Sequence, residues 1–251
     1  MFCRRNITYD SPTTFKKTKY KPHLKKMWCI PPKQNADFVA HMEDVLEVYS
    51  RPYDKNCPVV CMDEKPFQLL DEGLEPIPMS KGNHVKKYDC EYVRKGSCSI
   101  FMFTEPLGQW REAHALPRRT SEDWAHQIKW LVDEKYSNVE KIVLVMDNLN
   151  THSISSLYKT YSPEEAFRIS QKLEIHYTPK HGSWLDIAEI ELSSLTIQAL
   201  LGERIPSIDS LNERLSAWSL NRNSSQKGVD WQFTTSNART KLKHLYPIIE
   251  F

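Results

Sequence analysis

Two aspartates directly follow the two most apolar short runs of this sequence. Asp63 comes after residues 59–62, and Asp147 comes after residues 142–146, which are all apolar. Both runs have the composition of buried strands. If these strands are parallel neighbours, both carboxylates project at the same end of a sheet, where open α/β sheets usually bind ligands. The alternative is that acids follow strands simply because strands end at the protein surface.

Two neighbouring carboxylates repel each other unless one is protonated or a cation lies between them. Carboxylate oxygens are hard ligands that suit Mg²⁺, which keeps waters and substrate phosphates as its other ligands. A third acid would complete a two-cation site, and a predicted helix over residues 184–201 offers Asp186, Glu189 and Glu191. At about 100° per residue, Glu189 and Glu191 flank opposite edges of the apolar arc of this helix, so the helical period leaves the choice open.

Three further side chains lie close to these acids in the sequence. His152 follows Asp147 and would touch a phosphate, hydrogen-bond the acids, or be a surface histidine at a helix start. Lys180 and His181 lie in a glycine-containing loop just before the third acid. We expect these two residues to contact phosphates, the alternative being that they only cover the loop.

The hydrophobic pattern predicts the elements that must position these residues. Helices are predicted over residues 36–49, from Thr120, from Ser162, over 184–201 and over 207–221; strands are predicted over 58–62, 88–94, 98–104, 110–114, 141–146 and 174–177. Gly96 and Ser97 would form the turn of a hairpin, and Ser183 would cap the helix that carries Asp186 at its third position. This order predicts an α/β fold with a mixed sheet covered by helices, compatible with a ribonuclease-H-like fold and with other α/β folds.

Charge is distributed unevenly along the 251 residues. The net charge is +2, but the first 33 residues hold nine Lys or Arg against one acid, so they carry +8 and the rest of the chain carries −6. Lysines with interleaved aromatics suit phosphate contacts and base stacking, although the same segment would also be a merely solvated tail. The predicted DNA contacts in this segment are Lys16, Lys17, Lys19, Lys25 and Lys26.

The composition also excludes several classes of protein. Hydrophobic residues make up 40% and charged residues 26% of the chain, which is ordinary for a globular protein and excludes a disordered one. The longest apolar runs fall far short of the roughly 20 residues that a membrane helix requires, so we expect no membrane partner. Six scattered cysteines lack the paired spacing of a structural zinc site, and we expect free thiols in a reducing cytoplasm.

Three stretches of the chain carry a specific pattern: VVCMDE at residues 59–64, IVLVMDNLNTH at 142–152 and YTPKHGSWLDIAE at 177–189, with further agreement at 118–120, 123–125 and 231–235. From about residue 20 onward, the chain resembles the DDE transposases of bacterial insertion sequences in the mariner superfamily. The resemblance implies a ribonuclease-H-like catalytic domain with a triad of Asp63, Asp147 and Glu189. The helix motif of this family has its Glu three positions after an Asn, which selects Glu189 over Glu191.

The resemblance further implies metal-dependent cleavage of phosphodiesters at transposon ends and strand transfer into target DNA. Mg²⁺ would be the cofactor, with Mn²⁺ as a substitute, and the partners would be double-stranded DNA and a second copy of the chain. The expected location is the bacterial cytoplasm, associated with the nucleoid. The alternative is a catalytically silent remnant of a transposase that only binds DNA or oligomerises.

Two departures from the family pattern stand out. Asp186 replaces the usual Asn, and this extra carboxylate would compete for metal, raise the repulsion in the empty site, or only cap the helix better. Of the helix-turn-helix region that precedes the catalytic domain in full members, only the last part is recognisable, around residues 13–26. We therefore expect residues 1–33 to be a basic remnant of the DNA-binding region with its linker, and residues 34–251 to be the catalytic domain.

Overall fold

The structure is a computed structural model that describes residues 30–31, 33–82, 84–85, 87, 89–225 and 228–248. The five predicted DNA-binding lysines lie outside these residues. The strands within them are β1 (Val59–Glu72), β2 (Tyr92–Glu105), β3 (Trp110–Leu116), β4 (Ile142–Met146) and β5 (Leu173–Tyr177). The helices are α1 (Ala36–Ser50), α2 (Ser121–Trp130), α3 (Ile154–Thr160), α4 (Pro163–Gln171), α5 (Ile187–Leu195), α6 (Ile208–Ser224) and α7 (Thr235–Lys241).

The strands form one mixed sheet in the order β3-β2-β1-β4-β5. β1 pairs antiparallel with β2 and parallel with β4, and β4 pairs parallel with β5. The two strands that carry the predicted acids are therefore parallel neighbours, with Met62 opposite Met146. The predicted mixed sheet is confirmed, and its two apolar strands lie at its centre, where both faces are covered.

Helices cover both faces of the sheet, and the alternation of side chains along β1 divides the core in two. Cys61 and Leu69 join the core that contains α1, α5 and α6, whereas Val60 and Met62 join the core that contains α2, α3 and α4. Because successive side chains of a strand point to opposite faces, Asp63 and Glu64 belong to different sides of the sheet. No helix of the described residues is long and apolar enough to cross a membrane.

The predicted hairpin at Gly96 and Ser97 is wrong. β2 runs through both residues and pairs with β1 on either side of them, from Tyr92 to Thr104. Gly96 has φ 106° and lies opposite Leu69, next to a shift in register between Leu69 and Leu70. A positive φ at glycine permits a β-bulge as readily as a turn, and here it bends a continuous strand. β1 likewise continues beyond residue 62, so Asp63 lies within a strand rather than after one.

The predicted helix over residues 184–201 is divided into three parts. A 3₁₀ turn, Ser183–Leu185, precedes α5, and a π-helical turn, Thr196–Leu200, follows it. Asp186 is the N-cap of α5, with its side chain accepting a hydrogen bond from the Ala188 N–H at 2.9 Å. The predicted Ser183 cap is therefore wrong, because aspartate at residue 186 competes well for the cap position.

Candidate active site

The parallel pairing of β1 and β4 brings Asp63 and Asp147 to the same end of the sheet. Burial is the main cause that raises the pKa of Asp63 to about 7; the charges of Asp147 and Glu189 act in the same direction, and a backbone hydrogen bond opposes them. That bond comes from the Glu64 N–H to Oδ1 of Asp63, at 2.7 Å. The structure thus gathers all three acids of the predicted triad closely enough for their charges to interact.

Glu189 and Glu191, which the helical period left as alternatives, have opposite environments. Glu189 is exposed and lines a cleft of about 340 Å³ together with Asp63. Glu191 is buried, and its Oε2 accepts a hydrogen bond from Nε of Arg222 at 2.6 Å while its Oε1 lies 3.4 Å from Nη2 of Arg111. Glu189 therefore faces the aspartates, whereas Glu191 forms a buried ion pair.

A fourth carboxyl group, that of Asp186, lies beside these acids. The residue is 2% exposed, and its Oδ2 has no hydrogen-bond partner. Burial raises the pKa of Asp186 well above its ordinary value, and the charges of Asp63, Asp147 and Glu189 act in the same direction. Burial and the neighbouring carboxylates therefore favour the protonated form of this carboxyl group.

His152 connects Asp147 to the opposite face of the sheet. Its fully buried ring places Nδ1 2.5 Å from Oδ1 of Asp147 and Nε2 2.9 Å from Oε1 of Glu64. Burial lowers the pKa of His152, but the hydrogen bonds to Asp147 and Glu64 outweigh this effect and raise it to about 9. Because both ring nitrogens are engaged, His152 contacts the acids rather than a phosphate, which selects one of the three roles considered from the sequence.

Sequence reasoning missed Glu64 and Lys65, which follow the first acid. The alternation along β1 was the available signal, because it puts Lys65 on the same side as Asp63 and Glu64 on the other. Lys65 lines the cleft that contains Asp63 and Glu189, and its Nζ lies 2.5 Å from Oγ1 of Thr196. Among the described residues, Lys65 is thus the basic side chain of this cleft.

Lys180 and His181 lie on the other side of Asp147. The three residues line a second cleft, of about 490 Å³. The loop turns tightly at Gly182, where a Cβ atom would lie 2.4 Å from Cγ of Pro179. Glycine is therefore required by this close approach, and the turn presents exposed Lys180 and His181 at the rim of the cleft.

The carboxylates fit a divalent cation by their chemistry. Oxygen ligands that lie close enough to disfavour one another's ionisation are the donor set that Mg²⁺ takes in proteins. Within the described part of the chain, no three His, Cys, Asp or Glu side chains already stand together as a metal site. Asp63, Asp147 and Glu189 are therefore candidate ligands that approach one another without forming a closed coordination shell.

Comparison with known proteins gives a family and a fold. A family model described as "DDE superfamily endonuclease" matches residues 58–212. No curated protein sequence matches the chain. The Mos1 mariner paired-end complexes with Mn and with Mg match its structure with TM-scores of 0.52 and 0.56 at 13% and 12% identity. The Mos1 transposase paired-end complex with the left transposon end matches with a TM-score of 0.51 at 14% identity.

The Mos1 matches cover 85%, 93% and 84% of this chain, in the order given. They cover 63%, 70% and 63% of the Mos1 chains, so in two of the three the present chain spans less than two thirds of that protein. Identities this low show the fold alone. The predicted ribonuclease-H-like mixed sheet covered by helices is confirmed.

Proposed function

We propose that this chain, which belongs to the DDE superfamily endonuclease family, is the catalytic domain of a DNA transposase. It cleaves phosphodiester bonds at transposon ends and transfers the freed 3′ strand to target DNA. The observation that carries this proposal is the approach of Asp63, Asp147 and Glu189, whose charges combine with burial to raise the pKa of Asp63 to about 7. A protein gains no stability from bringing carboxylates close to one another, whereas metal-dependent phosphoryl transfer requires them.

Asp63, Asp147 and Glu189 are the residues that would hold the cations, and the proposed cofactor is Mg²⁺, for which Mn²⁺ substitutes. When bound, such cations activate a water for in-line attack and stabilise the leaving oxygen. Asp63 has a pKa of about 7, so cation binding near neutral pH is expected to release protons from the protein. Lys180 and His181 contact DNA phosphates beside Asp147, which positions the strand without reading its sequence.

The proposal extends to the partners and origin of the chain. The transposase is that of a bacterial insertion sequence, acts on double-stranded DNA in the cytoplasm near the nucleoid, and assembles as a homodimer. Residues 1–33 contribute non-specific phosphate contacts, and residues 34–251 form the catalytic domain. Support for DNA as the substrate comes from the Mos1 structures, which are paired-end complexes, one of them with the left transposon end.

A plasmid-nicking assay with Mg²⁺ or Mn²⁺ tests this function. Asp147→Asn keeps the shape of the side chain but removes the charge that holds a cation, so we expect nicking to fall by about a thousandfold or more. Asp209→Asn on the exposed start of α6 is the matched control and should leave nicking unchanged. Equal nicking by Asp147→Asn and the wild type would refute the proposal, and DNA binding without nicking by the wild type would favour a silent remnant.

A further inference from the structure

The carboxylate of Glu64 is buried against the ring of His152, which separates it from Asp147. Its side chain is 2% exposed, Oε1 pairs with His152, and Oε2 has no hydrogen-bond partner. A buried carboxylate is costly, and apolar residues of similar volume often stabilise a core as well or better. The pairing of Glu64 with His152 therefore points to a role beyond stability.

Contacts hold both the ring and the backbone of His152 in place. The Trp124 ring lies against it with centroids 6.1 Å apart and planes inclined by 26°, and the hydroxyl of Tyr177 donates a hydrogen bond to the His152 carbonyl at 2.9 Å. The His152 N–H in turn donates to the Leu149 carbonyl at 2.9 Å, which closes the turn after β4. An imidazole held in this way offers Nδ1 to Asp147 in one direction only.

The carboxylate of Asp147 depends on this ring for its orientation. Asp147 follows the last residue of β4, so the sheet does not fix its side chain, which is 35% exposed. Within the described residues, Oδ1 is bound by His152 and Oδ2 is left without a hydrogen bond from the protein. One oxygen is thus restrained, and the other remains available as a ligand.

We propose that Glu64 and His152 form a positioning pair that orients the Asp147 carboxylate for the cation. The inference rests on the proposed function, since it concerns the same acid. Glu64 fixes the ring through Nε2, and the ring fixes Asp147 through Nδ1. Partners of this kind, one shell outside the ligands, orient them and tune their affinity for metal.

Two amide substitutions of His152 separate positioning from simple packing. The amide nitrogen of Asn reaches the place of Nδ1 and can still donate to Asp147, whereas that of Gln reaches the place of Nε2 and can only contact Glu64. Both remove the ring that packs on Trp124, so a merely structural role predicts equal effects. The positioning role predicts that His152→Gln is the more damaging change.

The readout is Mn²⁺ binding to the DNA-free protein, followed by the electron paramagnetic resonance of unbound Mn²⁺. We expect His152→Gln to weaken binding by about tenfold or more and His152→Asn to weaken it by about threefold at most. The exposed His126→Gln variant is the control and should bind as the wild type does. Equal weakening by the two His152 variants, or none by either, would overturn the proposal.

Glu64→Gln gives a second test if a His152 variant does not fold, because it preserves shape and a hydrogen bond to the ring. We expect it to weaken Mn²⁺ binding by about threefold, and unchanged binding would overturn the positioning role. Asp147-dependent Mn²⁺ binding without any nicking would remove the proposed function and leave the positioning pair. Absence of Asp147-dependent binding in the wild type would remove the positioning pair itself.

Discussion

Glu189 and Glu191 lie two residues apart on α5, yet their carboxylates have nothing in common. Glu191 is fully buried between the guanidinium groups of Arg111 and Arg222. Glu189 is exposed, and its charge raises the pKa of Asp63 and of Asp186. The Glu191 carboxylate is neutralised by two guanidinium groups and serves the fold, whereas exposed carboxylates that disfavour one another's ionisation reduce stability and are retained for chemistry. The charges around each side chain therefore distinguish Glu189 from Glu191, whereas the helical period of the sequence did not.

Glu189→Gln is the change with the largest expected effect on activity. The amide is isosteric but supplies no negative charge to a cation, so we expect metal-dependent nicking to fall by about a thousandfold or more, or about 4 kcal/mol in barrier. The unfolding free energy should remain unchanged or rise slightly, because an exposed repulsive charge is removed. Plasmid nicking and urea denaturation of the same preparation measure both quantities, and full activity would contradict the assignment of Glu189.

Glu191→Gln should show the reverse pattern. Removing the charge takes the anion out of a buried cluster with Arg111 and Arg222, and we expect a loss of about 3 kcal/mol in unfolding free energy. Metal affinity of the folded protein should be unchanged, since Glu191 faces away from the acids. If Glu191→Gln instead weakened Mn²⁺ binding and left the unfolding free energy unchanged, the distinction between the two glutamates would be wrong.

The stability of the metal-free protein should fall as pH rises. Asp63 has a folded pKa of about 7 against about 4 unfolded, so its contribution is complete below about pH 4 and is lost as the pH rises to about 7. His152 has a folded pKa of about 9 against about 6.5 unfolded, so its contribution is lost between those values. Urea midpoints measured in a chelator should therefore decrease across both intervals.

Single substitutions test which residue causes the loss of stability in each of these two pH intervals. Asp63→Asn should remove most of the pH dependence of the unfolding free energy in the lower interval, and His152→Asn most of it in the upper one, each by roughly 3–4 kcal/mol. Saturating Mg²⁺ should flatten the lower interval in the wild type, because the cation replaces the proton on Asp63. If the stability of Asp63→Asn still fell across the lower pH interval, another group would be its cause. The argument that the three carboxylates repel one another would then be weakened.

The strands that carry Asp63 and Asp147 were predictable because uninterrupted apolar runs are local signals. Their parallel pairing confirmed the expectation that both acids meet at one end of the sheet. The contact between Glu64 and His152 was not predictable from local pattern, because it joins residues 88 positions apart. Gly96 was misinterpreted because the same positive φ serves a turn or a bulge. The roles of Lys16, Lys17, Lys19, Lys25 and Lys26 remain predictions, since they lie outside the described residues.

Asp186→Asn has the smallest expected effect and sharpens the comparison most. The carboxyl group is buried and caps α5 through Oδ1, and burial raises its pKa well above the ordinary value, which favours its neutral form. Asparagine has the same shape, is neutral and retains the cap, so we expect the unfolding free energy at about pH 6 to change by less than about 0.5 kcal/mol.

As pH rises through the raised pKa, wild-type Asp186 loses the stability that its protonated form provides, whereas asparagine has no proton to lose. The variant should therefore gain stability relative to the wild type when urea denaturation at about pH 6 is compared with that at about pH 9. Asp186→Ala is the control for the cap and should be less stable than Asp186→Asn by about 1 kcal/mol at either pH. If Asp186→Asn instead tightened Mn²⁺ binding by about tenfold at neutral pH, Asp186 would be an ionised competitor for the cation.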